Sequence, residues 1–418
     1  MSKLLYEIGV RAYGVGIRLA APFLPKAAQW VNGRKGIFEE IGQKLAGNQA
    51  PLAWFHCASL GEFEQGRPLI EAFKLRYPNF KVVLTFFSPS GYEVRKNYAG
   101  ADFIFYLPLD TAQNARRLVA LLKPKLAVFV KYEFWHHYTR ELHHQHIPLF
   151  SISAIFRPNQ IYFRKNGSFY RRILKRFTYI YTQNQESAQL LASIHIDKVT
   201  MAGDTRVDRV LQNAQNAKQI SIAQAFKADS PVMVIGSSWP QDLAVLLPFL
   251  QAQLPTLKFI LAPHEIKEQE LSELEAQFPG QAIRFSQARA ETASNYRLLL
   301  IDNIGMLSSL YQYADYAYVG GAFGKGLHNT LEPAAFGPPI FFGPRYTKFQ
   351  EAQDLIEAGV AFPVRSTQDL SKTFEELHQD PDRREKIRQA TQVYLQKQAG
   401  ATERILTSME YWLPSRHA

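Results

Sequence analysis

The sequence predicts an α/β protein of two doubly wound domains, each a parallel sheet covered by helices on both faces. Three observations carry this prediction. The chain has 418 residues, more than one ordinary core accommodates. Short apolar runs rich in β-branched and aromatic residues alternate with helical patterns, as strands buried on both faces require. A polar stretch near the middle, "RVDRVLQNAQNAKQ" from Arg206, separates two sets of such runs. A hydrophobic content of 46% with 20% charged residues is enough to fill both cores.

In the first half the strand-like runs are "LAWFHC", "FKVVLTFF", "FIFYL", "KLAVFV", "IPLFSIS" and "TYIYT". In the second half they are "PVMVIG", "LKFILAP", "RLLLID", "DYAYVG" and "PPIFFG". They place a first domain over 25–205, a linker over 206–228 and a second domain over 229–400. A C-terminal helix over 401–418 is expected to cross back to the first domain. Two such sheets facing a central cleft would gather ligands at the carboxyl ends of their strands.

Residues 1–24, "MSKLLYEIGVRAYGVGIRLAAPFL", lack the uninterrupted apolar core and cleavage site of a signal peptide. Glu7, Arg11 and Arg18 also make the segment a poor spanning helix. Lys3, Glu7, Arg11 and Arg18 share one helical face, and Leu5, Ile8, Val15 and Leu19 occupy much of the rest. Two readings fit: a helix lying in a membrane interface, or one packed on its own domain.

The formal charge of +11 calls for an anionic partner. No acidic residue falls between Glu141 and Glu186, where Arg157, Arg164, Lys165, Arg171, Arg172, Lys175 and Arg176 are interleaved with Phe156, Tyr162, Phe163, Phe169, Tyr170 and Phe177. That mixture suits lipid phosphates or single-stranded nucleic acid, or else a solvated face over core aromatics. The single cysteine, Cys57, excludes an intramolecular disulfide framework and reads as a core residue. His136, His137, His143, His144 and His146 read as a histidine-rich surface helix rather than a metal site, so no metal is expected.

The most particular stretch is "VGGAFGKGLHNTLEPAAFGPPIFFGP", Val319 to Pro344. Its glycines let the backbone approach a ligand, and "HNTLEPAAFG" is expected to start a helix whose amides favour an anion. Asn329 can cap that helix or reach a ligand, and Glu332 can accept hydrogen bonds from a ribose diol. The loops "APHEIKE", "DNIGML" and "GSSWPQD" end other second-half strands, where such a fold assembles a nucleotide site. In the first half, "HCASLGEFEQG" puts Glu62 at a strand-to-helix turn, as a helix-capping charge or a reagent.

"ASLGEFEQGRPLIEAF", "PLDTAQNARRLVALLKPKLAVFVKYEFW" and "GGAFGKGLHNTLEPAAFGPP" resemble, in order along nearly the whole chain, the 3-deoxy-D-manno-octulosonic acid (Kdo) transferases of lipopolysaccharide assembly. The resemblance implies a glycosyltransferase-B architecture, with a Rossmann-like acceptor domain followed by a Rossmann-like donor domain. It implies CMP-Kdo as donor, no cofactor and no enzyme-bound metal. The implied acceptor is the phosphorylated, acylated glucosamine disaccharide that precedes lipid A. The implied location is the cytoplasmic face of the bacterial inner membrane, with peripheral or N-terminal attachment. Carried over by motif, Glu62 matches the general base and Glu133 a second acidic position. Pro263, His264, Ile304, Gly305, Met306, Asn329, Thr330, Leu331 and Glu332 match the segments that hold CMP. Arg157, Arg164, Lys165 and Arg206 are the expected contacts to acceptor phosphate. The chain departs from the pattern at His264, where arginine is usual, in "KYEFWHH" and "SAIFR", and at Arg206, where lysine is commoner. A related enzyme with another nucleotide-sugar or a non-lipid acceptor is the alternative. A nucleic-acid-binding protein is disfavoured, because no motif of that class occurs.

Overall fold

A computed structural model describes residues 3–324 and 326–413. Outside it lie residues 1, 2 and 414–418, the ends of the predicted first and last segments, and Lys325 of the glycine-rich loop. The chain forms two compact units, residues 1–208 with 398–418 and residues 209–397.

The first unit holds seven parallel strands: β1 (Leu52–Cys57), β2 (Lys81–Phe86), β3 (Phe103–Tyr106), β4 (Leu126–Val130), β5 (Leu149–Ala154), β6 (Tyr179–Thr182) and β7 (Val199–Met201). Their order is β3-β2-β1-β4-β5-β6-β7, so the winding reverses between β1 and β4. The second unit holds β8 (Val232–Ser238), β9 (Lys258–Pro263), β10 (Ala282–Arg284), β11 (Leu298–Leu300), β12 (Tyr316–Val319), β13 (Ile340–Phe342) and β14 (Ala361–Pro363). Its order is β10-β11-β9-β8-β12-β13-β14, reversing between β8 and β12. The central strands β1, β4 and β12 are buried at every position, which is why they read as unbroken apolar runs.

Three strands, β7, β10 and β14, have no counterpart among the predicted runs. Each is three residues long and lies at a sheet edge, where the neighbouring strand's ladder supplies the order that the local sequence lacks.

The stretch read as a linker, 206–228, is mostly helical, over Thr205–Gln215 and Ser221–Lys227. Val207 and Val210, three apart, bury on one face of the first of these helices. The last described helix, Ala401–Glu410, sets Ile405, Leu406 and Met409 into the core of the first unit. Asp208 fastens it by accepting the backbone amides of Gly400 at 2.6 Å and Thr402 at 2.7 Å.

The chain opens with α1 (Lys3–Ala20), α2 (Pro25–Asn32) and α3 (Ile37–Leu45), before α4 (Leu60–Arg76) follows β1. One side of α1 packs on its own unit. Tyr6 donates its hydroxyl proton to Asp110 Oδ2 at 2.6 Å, and Gly14 sits so close to Leu109 that a Cβ there would lie 2.8 Å from Cδ2. Asp110 also accepts the amides of His137 and Tyr138 at 3.0 Å each, capping helix His136–His144 from a distant loop. Burial, opposed by these bonds, raises the Asp110 carboxyl to about 6. The predicted histidine-rich surface helix is therefore only half correct. His143 and His144 are exposed, but His136 and His137 are buried against Tyr6, and burial and Arg176 hold His136 down at about 3. Among the described residues, no group of His, Cys, Asp and Glu is arranged to hold a metal ion.

Removing the Tyr6 hydroxyl takes one of two donors from a buried Asp110 oxygen, leaving it the His137 amide alone. Tyr6→Phe is expected to lower stability by about 1–3 kcal/mol. Chemical denaturation followed by circular dichroism, compared with the exposed control Leu19→Gln, checks this.

Candidate active site

Both reversal points carry the residues singled out from the sequence. At the first, β1 leads into α4 and β4 leads into the turn before helix His136–His144. Glu62 lies three residues past the N-cap Ser59 and accepts the Ala58 amide through Oε2 at 2.5 Å. The carboxylate thus does bind the amides that open α4, as a capping residue would. Its environment nevertheless opposes its charge. Burial and the nearby Glu133 carboxylate push Glu62 up to about 8, against the pull of the Ala58 and Ser59 amides and the Lys131 ammonium. A cap alone needs no second, buried carboxylate beside it.

Glu133 is held from two sides. Trp135 Nε1 donates to its Oε2 at 2.6 Å, and His56 Nε2 lies 3.0 Å from the same oxygen. His56 is wholly buried, with Nδ1 2.9 Å from Thr85 Oγ1, which accepts Trp54 Nε1 at 2.8 Å. Trp54, Thr85, His56 and Glu133 can therefore be linked with every donor pointing the same way. Before the turn, Lys131 takes a left-handed φ of 61°, a conformation that non-glycine residues adopt at a cost of about 1–3 kcal/mol. His56 was the residue missed by sequence reasoning: its place inside an apolar run reads as core, and its partners come from two other strand ends.

Of the predicted phosphate contacts, Arg157 is exposed and faces Tyr132, which in turn feels the Glu62 charge. Arg164 and Lys165 are exposed on the following loop. Arg206 is half-buried and forked onto Asp204, with Nη2 2.6 Å from Oδ2. Much of the basic-aromatic stretch is structural. Phe156, Phe169 and Phe177 are core, Arg171 ties the carbonyls of Tyr162 and Arg164, and Arg176 binds the His136 carbonyl at 2.8 Å.

In the second unit, the predicted nucleotide segments all follow carboxyl ends of parallel strands. His264 comes just after β9, with its ring stacked on Trp239 at 4.3 Å and 4.4 Å from the ring of His328. Trp239 Nε1 donates to His328 Nε2 at 3.0 Å, and burial and His264 bring His328 down to about 4. Gly305 takes φ 94° between Ile304, which is exposed, and Met306. Asn329 joins the two ends of its turn, accepting the Leu331 amide and donating to Glu332 Oε1, both at 3.1 Å. Thr330 and Leu331 are buried. The helix expected from "HNTLEPAAFG" is only one turn, Leu331–Ala334. Pro333 offers no amide proton, and Gly337 turns to φ 83° before two prolines.

Asp242, also not anticipated, organises this edge. It accepts the amides of Trp239 at 2.9 Å and Gly321 at 2.8 Å and the Tyr318 hydroxyl at 3.1 Å. The glycine loop approaches closely here: a Cβ on Gly320 would lie 2.3 Å from the Ser237 carbonyl oxygen.

Two doubly wound parallel sheets give the chain the glycosyltransferase-B architecture. The calicheamicin glycosyltransferase CalG4 shares the fold (TM-score 0.58, 12% identity, 89% of this chain and 100% of that one). So does the UDP-GlcNAc 2-epimerase of Neisseria meningitidis (TM-score 0.59, 17% identity, 87% and 100%). Residues 33–209 match the family described as 3-deoxy-D-manno-octulosonic-acid transferase (kdotransferase). The chain is 27% identical to the transferase of that name from Haemophilus influenzae, over 86% of this chain and 87% of the relative. It is 26% identical to that of Bordetella pertussis, over 97% and 100%. Along most of its length the chain is thus similar to enzymes named as Kdo transferases.

The raised Glu62 carboxyl has a consequence for stability. Its folded value, about 8, lies above the ordinary unfolded value of about 4.3. The fold therefore loses stability as pH rises from the lower value through the higher one. Glu62→Gln should be close to neutral at pH 4.5 and stabilising at pH 9, as melting temperatures at the two pH values will read.

Proposed function

We propose that this enzyme transfers Kdo from CMP-Kdo to a hydroxyl of the phosphorylated, acylated glucosamine disaccharide that precedes lipid A, with Glu62 as general base. The observation that carries the role of Glu62 is a half-buried carboxylate of raised proton affinity at the reversal point of the first sheet, beside a second, buried carboxylate. In the reaction the acceptor oxygen forms a bond to the anomeric carbon of Kdo while that carbon's bond to the CMP phosphate breaks. The acceptor proton passes to Glu62, and the bonding pair leaves with CMP. A carboxylate with proton affinity near neutral suits this task, because transfer in the transition state favours a base whose pKa is close to the working pH.

On the donor side, the His264 ring is the group assigned to the departing phosphate, and Glu332 to the ribose diol. No metal is needed in this reading, since CMP is a competent leaving group. The acceptor is a membrane lipid, and support for contact with an anionic membrane surface comes from α1. Leu4, Leu5, Ile8, Val15 and Leu19 form an exposed stripe opposite its packed side, continued by Phe23, which is 82% exposed. No helix among the described residues is long and apolar enough to cross a membrane, so the reading is surface attachment. The cytoplasmic face of the inner membrane is the expected location.

Two tests address the chemistry. Glu62→Gln keeps the shape and a hydrogen bond to Ala58, and turnover should fall by roughly 10²–10⁴-fold. With the native enzyme, kcat/KM should rise with pH towards a plateau above about 8, and Glu133→Gln should move that rise to lower pH by removing a negative neighbour. Near-normal turnover in Glu62→Gln would reduce the residue to a helix cap. On the donor side, Glu332→Ala should weaken CMP binding by about 10-fold or more, measured by calorimetry. An unchanged affinity removes Glu332 from the ribose site.

A further inference from the structure

The α1 helix and the α2–α3 turn border a cavity that the proposed chemistry does not use. Its volume is about 420 Å³, within the range of ligand sites. Arg18, Trp30, Arg34, Lys35, Phe38 and Asn114 line it.

Arg34 is the informative residue. Its guanidinium donates to the carbonyls of Leu107 at 2.9 Å, Trp30 at 3.0 Å and Phe87 at 2.7 Å. It also lies over the rings of Trp30 at 3.9 Å, Tyr106 at 4.7 Å and Phe87 at 5.0 Å. None of these partners carries a full negative charge, and burial brings its pKa down to about 9. A sheltered cation held only by carbonyl dipoles and ring faces is costly, and that cost falls when an anion arrives. Arg18 and Lys35 add two further cations, and among the described residues neither is paired with a carboxylate. Glu39, which also lines the cavity, is engaged by Arg117 at 2.8 Å.

The surroundings indicate which anion. Leu19 and Phe23, at the same end of α1 as Arg18, are the most exposed large apolar residues of this region, at 71% and 82%. In the other direction Phe87 lies 4.9 Å from the ring of Trp135, which donates to Glu133. The cavity thus lies between an apolar surface element and the proposed catalytic carboxylates, with cations facing it.

We propose that this cavity binds the phosphate of an anionic lipid headgroup while the apolar stripe of α1 lies at the acyl boundary. The proposal rests on the membrane reading of α1 given above. The phosphate could belong to a bulk phospholipid or to the acceptor lipid, and the chemistry of the site is the same for both.

The test uses the full chain and the double substitution Arg18→Ala/Lys35→Ala, with Lys372→Ala/Lys386→Ala as a charge-matched control. Sedimentation with phosphatidylcholine vesicles containing phosphatidic acid is expected to weaken by about 10-fold for the first pair and to change little for the control. KM for the phosphorylated acceptor in detergent micelles supplies the second arm. Loss of vesicle binding alone assigns the site to bulk lipid, and a raised KM alone assigns it to the acceptor. Arg34→Met, with circular dichroism to verify folding, should reproduce whichever effect is found. Equal losses in both double variants, or no loss in either arm, would overturn the proposal. Failure of the unsubstituted chain to bind any vesicle would instead remove the membrane reading of α1. Titration with soluble dihexanoyl phosphatidic acid, followed by Trp30 fluorescence, then decides the cavity by itself: saturable binding lost in Arg18→Ala/Lys35→Ala supports it, and no binding rejects it.

Discussion

A buried carboxylate, Glu133, and a half-buried one, Glu62, meet at the reversal point of the first sheet, and the local structure is arranged around keeping them there. Placing Glu62 and Glu133 together raises the proton affinity of Glu62, which costs folding stability at neutral pH. The cost is met by donors: backbone amides on Glu62, and Trp135 with His56 on Glu133. His56 is fixed in turn by Thr85 and Trp54, so three neighbouring strands contribute to one ionisable pair. The left-handed Lys131 belongs to the same arrangement, turning the chain out of β4 just before Glu133.

The second unit solves a comparable problem with one carboxylate. Asp242 binds amides from the turn after β8 and the loop after β12, and the hydroxyl of Tyr318 within β12. The two central strands of that sheet therefore end in a fixed relation, and the glycine-rich loop lies hard against the Ser237 backbone. The histidine at 264, where the family resemblance predicts arginine, is packed between Trp239 and His328 instead of standing as a permanent cation.

The first helix packs one face on its own unit and leaves an apolar face exposed. Tyr6 and Gly14 pack it on its own unit, and Tyr6 completes the hydrogen bonding of Asp110. The opposite face keeps its leucines, isoleucine and valine in contact with solvent. An amphipathic pattern cannot separate these outcomes. A helix has room for two functional faces, and the hydrophobic period records only that the faces differ.

The sequence alone determined the α/β class, the alternation of strands and helices, and the segments that meet at the sheet edges. These follow from local signals: long apolar runs are strands buried on both faces, and glycine-rich turns after them are where a backbone can approach a ligand. It also singled out Glu62 and the resemblance to the Kdo transferases, because the motif around that residue is contiguous. The tertiary structure alone decided what depends on distant partners. The edge strands β7, β10 and β14 exist through the ladders of their neighbours, and the polar 206–228 stretch becomes helical through the burial of Val207 and Val210. His136 and His137 are buried because Tyr6, far away in sequence, covers them. His56 and Asp242 gain their roles only when strand ends converge, since a hydrogen bond between residues far apart in the chain leaves no local pattern to read.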